Sequence, residues 1–452
     1  MRAPRHLKSA VAALVLVFPA GASADLLNAA YTDDLATARA LVAAGADVKM
    51  ANPYGVTPLI LACENGNPEL VKLLLDAGAD PNTSVAGGGT AVMTAARTGR
   101  TACVRLLLDA GAQIEAKDRR SQTAMMWAAA EGHAEVVALL LKRNADFKTP
   151  LESGFTPLLF AAREGRSEVV RALLNAGADP NETATKGGAK RPRNGTGPLM
   201  LAIENGHLEL ALELVDAGAD PNDERSGITP LHAITGVRKT ARGEGEDGAP
   251  PPDGSGALGS LDFVREIVRR GARVNSRLKN GTGGRGQVNP RGATPFLLAA
   301  KAGDLPLLRL LVELGADPMT PNTEGCYPFA AAAGVGVDAP GEEQASEADA
   351  LETMVYLLEL GADINAVDQN GDTAMHGAAY KCMGKLVHFL DENGADVEIW
   401  NRSNKRGWTP LVIAQGFRYG NFRPIQETID AISEVMKSKG VEPPPPPKRR
   451  AP

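Results

Sequence analysis

Three observations in the amino-acid sequence predict an all-α solenoid of about ten to eleven helix–turn–helix units carrying β-turn fingers. The first is a phrase that returns along the chain as "LVAAGADVKM", "LLLDAGADPN", "LLLDAGAQIE", "LLLKRNADFK" and six further variants. Its glycine slot falls at Gly45, Gly78, Gly111, Asn144, Gly177, Gly218, Gly271, Gly315, Gly361 and Gly394, with four initial spacings and a last spacing of 33 residues and intervening ones of 41, 53, 44 and 46. The second is a partner phrase, "GVTPLILAC", "GFTPLLFAA", "SGITPLHAI", "GATPFLLAA", "GDTAMHGAA" and "GWTPLVIAQ", which follows the glycine at a regular offset. The third is composition: aromatics make up 4% of the 452 residues while glycine reaches 49, which suits many small cores in series better than one large aromatic-rich core.

Residues 1–24 have the three parts of a secretory signal. Arg2, Arg5 and Lys8 make a basic start, "AVAALVLVFPA" is an apolar core short for a bilayer span, and Ala22-Ser23-Ala24 is a small-x-small site. Cleavage is expected between Ala24 and Asp25, which makes the chain periplasmic or secreted. Residues 25–440 form the repeat array. Its first unit, "DLLNAAYTDDLATARALVAAGAD", lacks a preceding turn and shows charge among its helices, as an N-terminal cap should.

Within each unit, Thr-Pro suits a helix start, because proline fits the first turn and the hydroxyl accepts from an orphan amide. "LLLxxG" then lays an apolar stripe on a second helix and ends it at a residue able to take a left-handed cap. Asn144 fits that slot, since asparagine tolerates positive φ better than other non-glycine residues. Extra residues are expected at 184–196 and 276–293, between successive units, and at 236–260 and 334–350, between the two helices of one unit. "IQETIDAISEVMKSKG" (425–440) reads as a closing amphipathic helix, and 441–452, "VEPPPPPKRRAP", as a proline-rich tail without a core.

The unit G-x-T-P-L-H-x-A-A-x-x-G-H-x-E-V-V-x-L-L-L-x-x-G-A-D is similar to that of ankyrin-repeat proteins, and the resemblance extends over nearly all of residues 25–436. It implies a binding scaffold whose contacts come from the turn tips and the exposed face of the first helices. It also implies that the two kinds of insertion lie on opposite edges of the stack. Most such arrays are intracellular, so the N-terminal signal points to a bacterial periplasmic protein whose target is also exported.

Nothing in the motifs calls for catalysis, a metal or a cofactor. His133 and His207 fill the "GH" before second helices, His232 and His376 the "TPLH" slot, and no H-x-x-x-H or H-E-x-x-H spacing occurs. Cys63, Cys103, Cys326 and Cys382 form no C-x-x-C, though the sequence leaves open a bridge between Cys63 and Cys103 in adjacent repeats. "GTGGRG" (281–286) lacks the phosphate-loop pattern. The net charge of −6, becoming −9 without the signal, excludes a bulk nucleic-acid footprint. No membrane insertion of the mature chain is expected, and a monomer is.

The surface suggests where a protein partner would sit. Tyr54, Phe155 and Trp408 occupy normally exposed turn positions and are candidate anchors, whereas Trp127 and Phe160 take a core slot. Basic residues gather in the turns: Arg119 and Arg120; Lys186, Lys190, Arg191 and Arg193; Arg277, Lys279, Arg285 and Arg291; then Arg402, Lys405 and Arg406. The segment 334–350 is purely acidic. A partner with an acidic surface is therefore expected on the finger edge. Alternative readings are a maturation or protection factor for an exported enzyme, an effector acting in a host cell, and an accessory enzyme with a loop-borne site.

Overall fold

A computed structural model describes residues 22–184, 194–239, 252, 254–279, 289–336, 345–417 and 424–445. Among them are twenty-three helices, and the sole β pairing is an isolated antiparallel bridge between Ser84 and Thr90. The all-α class predicted from the repeats holds. The centres of all four expected insertions and the end of the proline-rich tail lie outside the described residues. Among the described residues no helix is long and apolar enough to cross a membrane.

The chain divides into two compact units, Met1–Leu201 and Ala202–Pro452. In the first, helices run in pairs: Ala22–Tyr31 with Leu35–Ala43, Pro58–Asn65 with Pro68–Asp76, Ala91–Arg97 with Thr101–Asp109, Ala124–Glu131 with Ala134–Lys142, and Pro157–Arg163 with Ser167–Asn175. The second repeats the pattern in Pro230–Arg238 with Ser260–Arg269, Pro295–Lys301 with Leu305–Glu313, Pro328–Ala333 with Glu347–Glu359, and Ala374–Lys381 with Gly384–Glu392. Its last helix, Gln426–Ser438, packs on Gly384–Glu392 and Pro410–Ala414 and buries Ala431, Ile432, Val435 and Met436. The expected cleavage point falls in the first turn of Ala22–Tyr31, where Asp25 is the acidic residue.

The reason for each pair is visible in its caps. Thr57, Thr90, Thr123, Thr156, Thr294 and Thr409 accept the N–H three residues ahead at 3.1–3.4 Å. Pro58, Pro157, Pro230, Pro295, Pro328 and Pro410 sit in the first turn. Second helices bury one stripe, as Leu70, Val71 and Leu74 do in Pro68–Asp76, each such side chain contributing about 1.5–3 kcal/mol. Every glycine slot is left-handed, with φ from 85° to 101°, and Asn144 adopts 60°. A Cβ built at Gly45, Gly78, Gly111, Gly177, Gly271, Gly315, Gly361 or Gly394 meets nothing within 4 Å, so these glycines are required by backbone conformation alone.

Two polar devices tie neighbouring repeats together at several joints. In the fingers, Asn52, Asp118, Asn322, Asp368 and Asn404 each accept two backbone N–H groups, two and four residues ahead, at 2.8–3.2 Å. Successive fingers then exchange single backbone bonds: Ala86 N–H to Tyr54 O (2.8 Å) and Arg119 N–H to Gly87 O (3.2 Å) in the first unit. In the second unit they are Thr323 N–H to Arg291 O (3.0 Å), Gln369 N–H to Glu324 O (2.8 Å) and Lys405 N–H to Asn370 O (2.7 Å). At the far end of the second helices, Asn82, Asn222, Asn275 and Asn365 each donate to the glycine-slot carbonyl of the next repeat at 2.9–3.3 Å. Each also accepts from a backbone N–H two residues beyond that glycine at 2.7–2.9 Å. A helix-end carbonyl that water would otherwise have to satisfy is thereby paired.

The second unit adds a buried ion pair. Arg238 meets Asp304 through two parallel bonds, Nε to Oδ2 at 2.7 Å and Nη2 to Oδ1 at 2.9 Å, with side-chain exposures of 14% and 2%. Asp304 also caps Leu305–Glu313 by accepting Leu307 N–H. Replacing it, as Asp304→Ala, leaves the guanidinium uncompensated and the helix uncapped. The expected loss is about 3–5 kcal/mol, read as a lowered urea midpoint with the slope unchanged.

Candidate interaction cleft

A cleft of about 620 Å³ lies between two neighbouring fingers of the first unit. One wall is the finger Asp118–Gln122. Asp118 N–H donates to Gln122 O (3.0 Å), Ser121 N–H donates to Asp118 O (2.9 Å), and Ser121 takes a left-handed φ of 61° where most fingers have glycine. The other wall is the finger Leu151–Phe155, closed by Leu151 N–H to Phe155 O (2.9 Å) and turned at Gly154. The floor is apolar: Phe155 and Phe160 pack at 5.0 Å between ring centroids, in a cluster with Met126, Leu159, Ala184 and Leu201. Arg163 lies over both rings, 5.3 Å from each centroid, and pairs with Glu164 at 2.8 Å.

Charge in the cleft is mostly positive. Arg119, Arg120 and Arg163 line it against the lone carboxylate of Glu152. Asp118 stands behind the finger with its oxygens already engaged, Oδ1 by the Arg120 and Gln122 amides and Oδ2 by Trp127 Nε1–H at 3.3 Å. The Gln122 Oε1 atom, by contrast, is buried without a hydrogen-bond partner.

The expected contact residues divide into four groups. Arg119, Arg120 and Phe155 come together in this cleft, but Phe155 is a correction: it is 4% exposed and forms the floor. Its ring packs inward against that of Phe160. Tyr54 is 45% exposed on a finger whose backbone Asn52 and Ala86 hold fixed. In the second unit Arg291, Lys405 and Arg406 are exposed, and Trp408 is half-buried with Arg406 over its ring at 5.7 Å. Lys186, Lys190, Arg191, Arg193 and Arg285 lie outside the described residues. The turn 276–293 is not the acid-free edge that its own residues suggest. Glu224, from the preceding finger, pairs with Lys279, and Arg277 donates to the carbonyls of Gly292 and Pro321. Arg163 and Gln122 are cleft residues that sequence reasoning did not single out, although Arg163 occupies the exposed slot straight after the two alanines of "LLFAA".

Four histidines are held by hydrogen bonds to neighbouring backbone or hydroxyl groups. His232 donates from Nε2 to Ala293 O (3.1 Å), a carbonyl that can only accept, so in the neutral ring Nδ1 accepts from the Thr229 hydroxyl (2.7 Å). Burial pushes its pKa down to about 4. His133 Nε2 meets Arg97 O at 2.8 Å, and Thr373 N–H donates to His376 Nδ1 at 3.2 Å. His207 Nδ1 lies 2.9 Å from Ser255 Oγ, the spacing of a nucleophile and its base, but it also accepts the Ser255 amide at 3.0 Å and so anchors that loop. No disulfide joins any of the four cysteines, all of which are among the described residues. Burial raises the Cys103 thiol to about 11 and that of Cys63 well above the ordinary range. Among the described residues no three His, Cys, Asp or Glu side chains could hold a metal ion together.

The family model for three tandem ankyrin repeats matches residues 26–118, 116–184 and 343–422, and the single ankyrin-repeat model matches 194–225 and 291–323. A curated relative, putative ankyrin repeat protein FPV219 of fowlpox virus, is 30% identical over 125 residues. That match spans 24% of this chain and 29% of the viral protein's length. The crystal structure of the human ASB11 ankyrin repeat domain is similar at 24% identity and a TM-score of 0.43, covering 54% of this chain and 96% of that one.

Two outcomes follow from the geometry. Because Phe155 is floor, Phe155→Ala is expected to cost about 3–5 kcal/mol of stability, measured by denaturant unfolding; an unchanged midpoint would return the ring to the surface. The neutral His232 contributes its full stabilisation above pH 6.5, its ordinary pKa, and loses it as pH falls from there to its folded value of about 4. The loss amounts to about 3 kcal/mol. A His232→Gln variant should lack that part of the acid slope.

Proposed function

The chain belongs to the ankyrin-repeat family, and from that premise we propose that it is a non-enzymatic scaffold that binds another exported protein through its finger tips and first-helix face. Ankyrin repeats generally mediate protein–protein interaction. The observation that carries the finer reading is the finger row of the first unit. There, hydrogen bonds to their backbone hold Tyr54, Arg119 and Arg120 in place while their side chains remain exposed. A surface fixed before binding loses little entropy on docking.

Export is supported by the basic start, the short apolar core and the Ala22-Ser23-Ala24 site, features of a chain that works in the periplasm or outside the cell. The non-catalytic reading draws on the histidines, four of which brace loops and repeats. Exposed arginines on an acidic chain favour a partner whose contact surface is acidic and a repeat array that acts as a monomer.

The test is capture from the producing organism's extracytoplasmic fraction, using the chain from Asp25 onward at low and high salt. One dominant protein, depleted at high salt, is the expected result. No enrichment at either salt would overturn the scaffold reading, and recovery of the chain only from the cytoplasm would overturn export.

A further inference from the structure

We propose that the cleft between the fingers Asp118–Gln122 and Leu151–Phe155 takes an acidic peptide segment of the partner, with carboxylates held by Arg119 and Arg120. This rests on the scaffold reading and specifies its ligand chemistry.

Arg163 is already paired with Glu164 and stacked on the phenylalanines, which leaves Arg119 and Arg120 as the available guanidiniums. Both are exposed, and neither has an ion-pair partner among the described residues. Their backbones are fixed at both ends of the reach: Arg119 N–H bonds Gly87 O at 3.2 Å and Arg120 N–H bonds Asp118 Oδ1 at 2.8 Å. Guanidiniums match carboxylates in a planar, bidentate way that a lysine pair would not.

Size and floor favour the same ligand. A cleft of about 620 Å³ is within the roughly 300–1,000 Å³ of ordinary ligand sites and far larger than a single anion requires. The half-buried Leu151 at the edge of the floor cluster gives an apolar side chain a resting place. Nucleic acid fits poorly, because Arg163 covers the faces of the Phe155 and Phe160 rings on which a base would stack, and the chain carries a net charge of −6.

The experiment is fluorescence anisotropy with the intact chain and a labelled Glu-Asp-Leu-Glu-Asp peptide at low salt, against the matching Gln-Asn-Leu-Gln-Asn peptide. The acidic peptide should bind at least about tenfold more tightly, and Arg119→Ala with Arg120→Ala should remove about tenfold or more while leaving the melting temperature unchanged. The Arg119→Lys, Arg120→Lys pair should restore only part of the affinity. Equal binding of the two peptides, or of the acidic peptide to wild type and the alanine pair, would overturn the inference. So would displacement of the peptide by millimolar phosphate, which would mark a simple anion site. If the alanine pair still captured the wild-type partner, the scaffold would stand and the cleft would not be its contact. Arginine-dependent peptide binding by a chain that captures no protein would uphold the cleft and overturn the scaffold reading.

Discussion

The structure depends on apolar stacking held in register by accepting side chains at the roots of five fingers, Asn52, Asp118, Asn322, Asp368 and Asn404. A helix pair with one apolar stripe has no stable face of its own, and it persists by stacking on a neighbour. Stacking alone fixes distance but not height. Where an Asn or Asp receives two amides it folds the connecting segment into a finger of set shape, and five pairs of neighbouring fingers meet through a single backbone bond. At the opposite end, four asparagine side chains each span from one helix terminus to the next. Apolar burial supplies most of the stabilisation, and these polar ties set the register in which it is collected.

This register is what makes the cleft a site. Arg119 and Arg120 sit on a finger that is hydrogen-bonded to its own root and to the finger before it. The floor is equally fixed, because Phe155 and Phe160 are buried in the same cluster as the first-helix leucine Leu159. A guanidinium stacked on two rings closes one side. Exposed charge is usually worth little because long side chains must be ordered to pair. Here the ordering of the backbone has been done by the fold.

The fold was largely legible in the sequence, since the repeat is a local code: Thr-Pro starts a helix, the glycine slot ends one, and both recur in the structure as caps and left-handed φ values. Even the exception, Asn144, followed its dihedral chemistry. The site was legible only in part. Arg119 and Arg120 were recognisable as exposed turn residues, but Phe155 packs inward against Phe160, and the pairing of Lys279 with Glu224 joins residues far apart along the chain. Packing between repeats decides which turn residues remain available, and repeat periodicity does not encode it. The Asx roots of five fingers could have been read from the Asn or Asp four residues before the finger's end, a spacing overshadowed by the more conspicuous glycines.

The glycine slots also bear on how such a chain lengthens. A Cβ at most of them would touch nothing, so no packed side chain constrains the position. The joint between one unit and the next is set by a backbone dihedral and, at Gly111, Gly271, Gly315 and Gly394, by an asparagine of the preceding repeat that bonds the carbonyl. Chain can be added beyond such a joint, or a repeat duplicated across it, without any packed side chain having to adjust. The spacings of 41 and 44 residues amid the 33-residue rhythm carry their extra chain at 184–196 and 276–293, just beyond such a joint, whereas those of 53 and 46 carry it between the two helices of one unit.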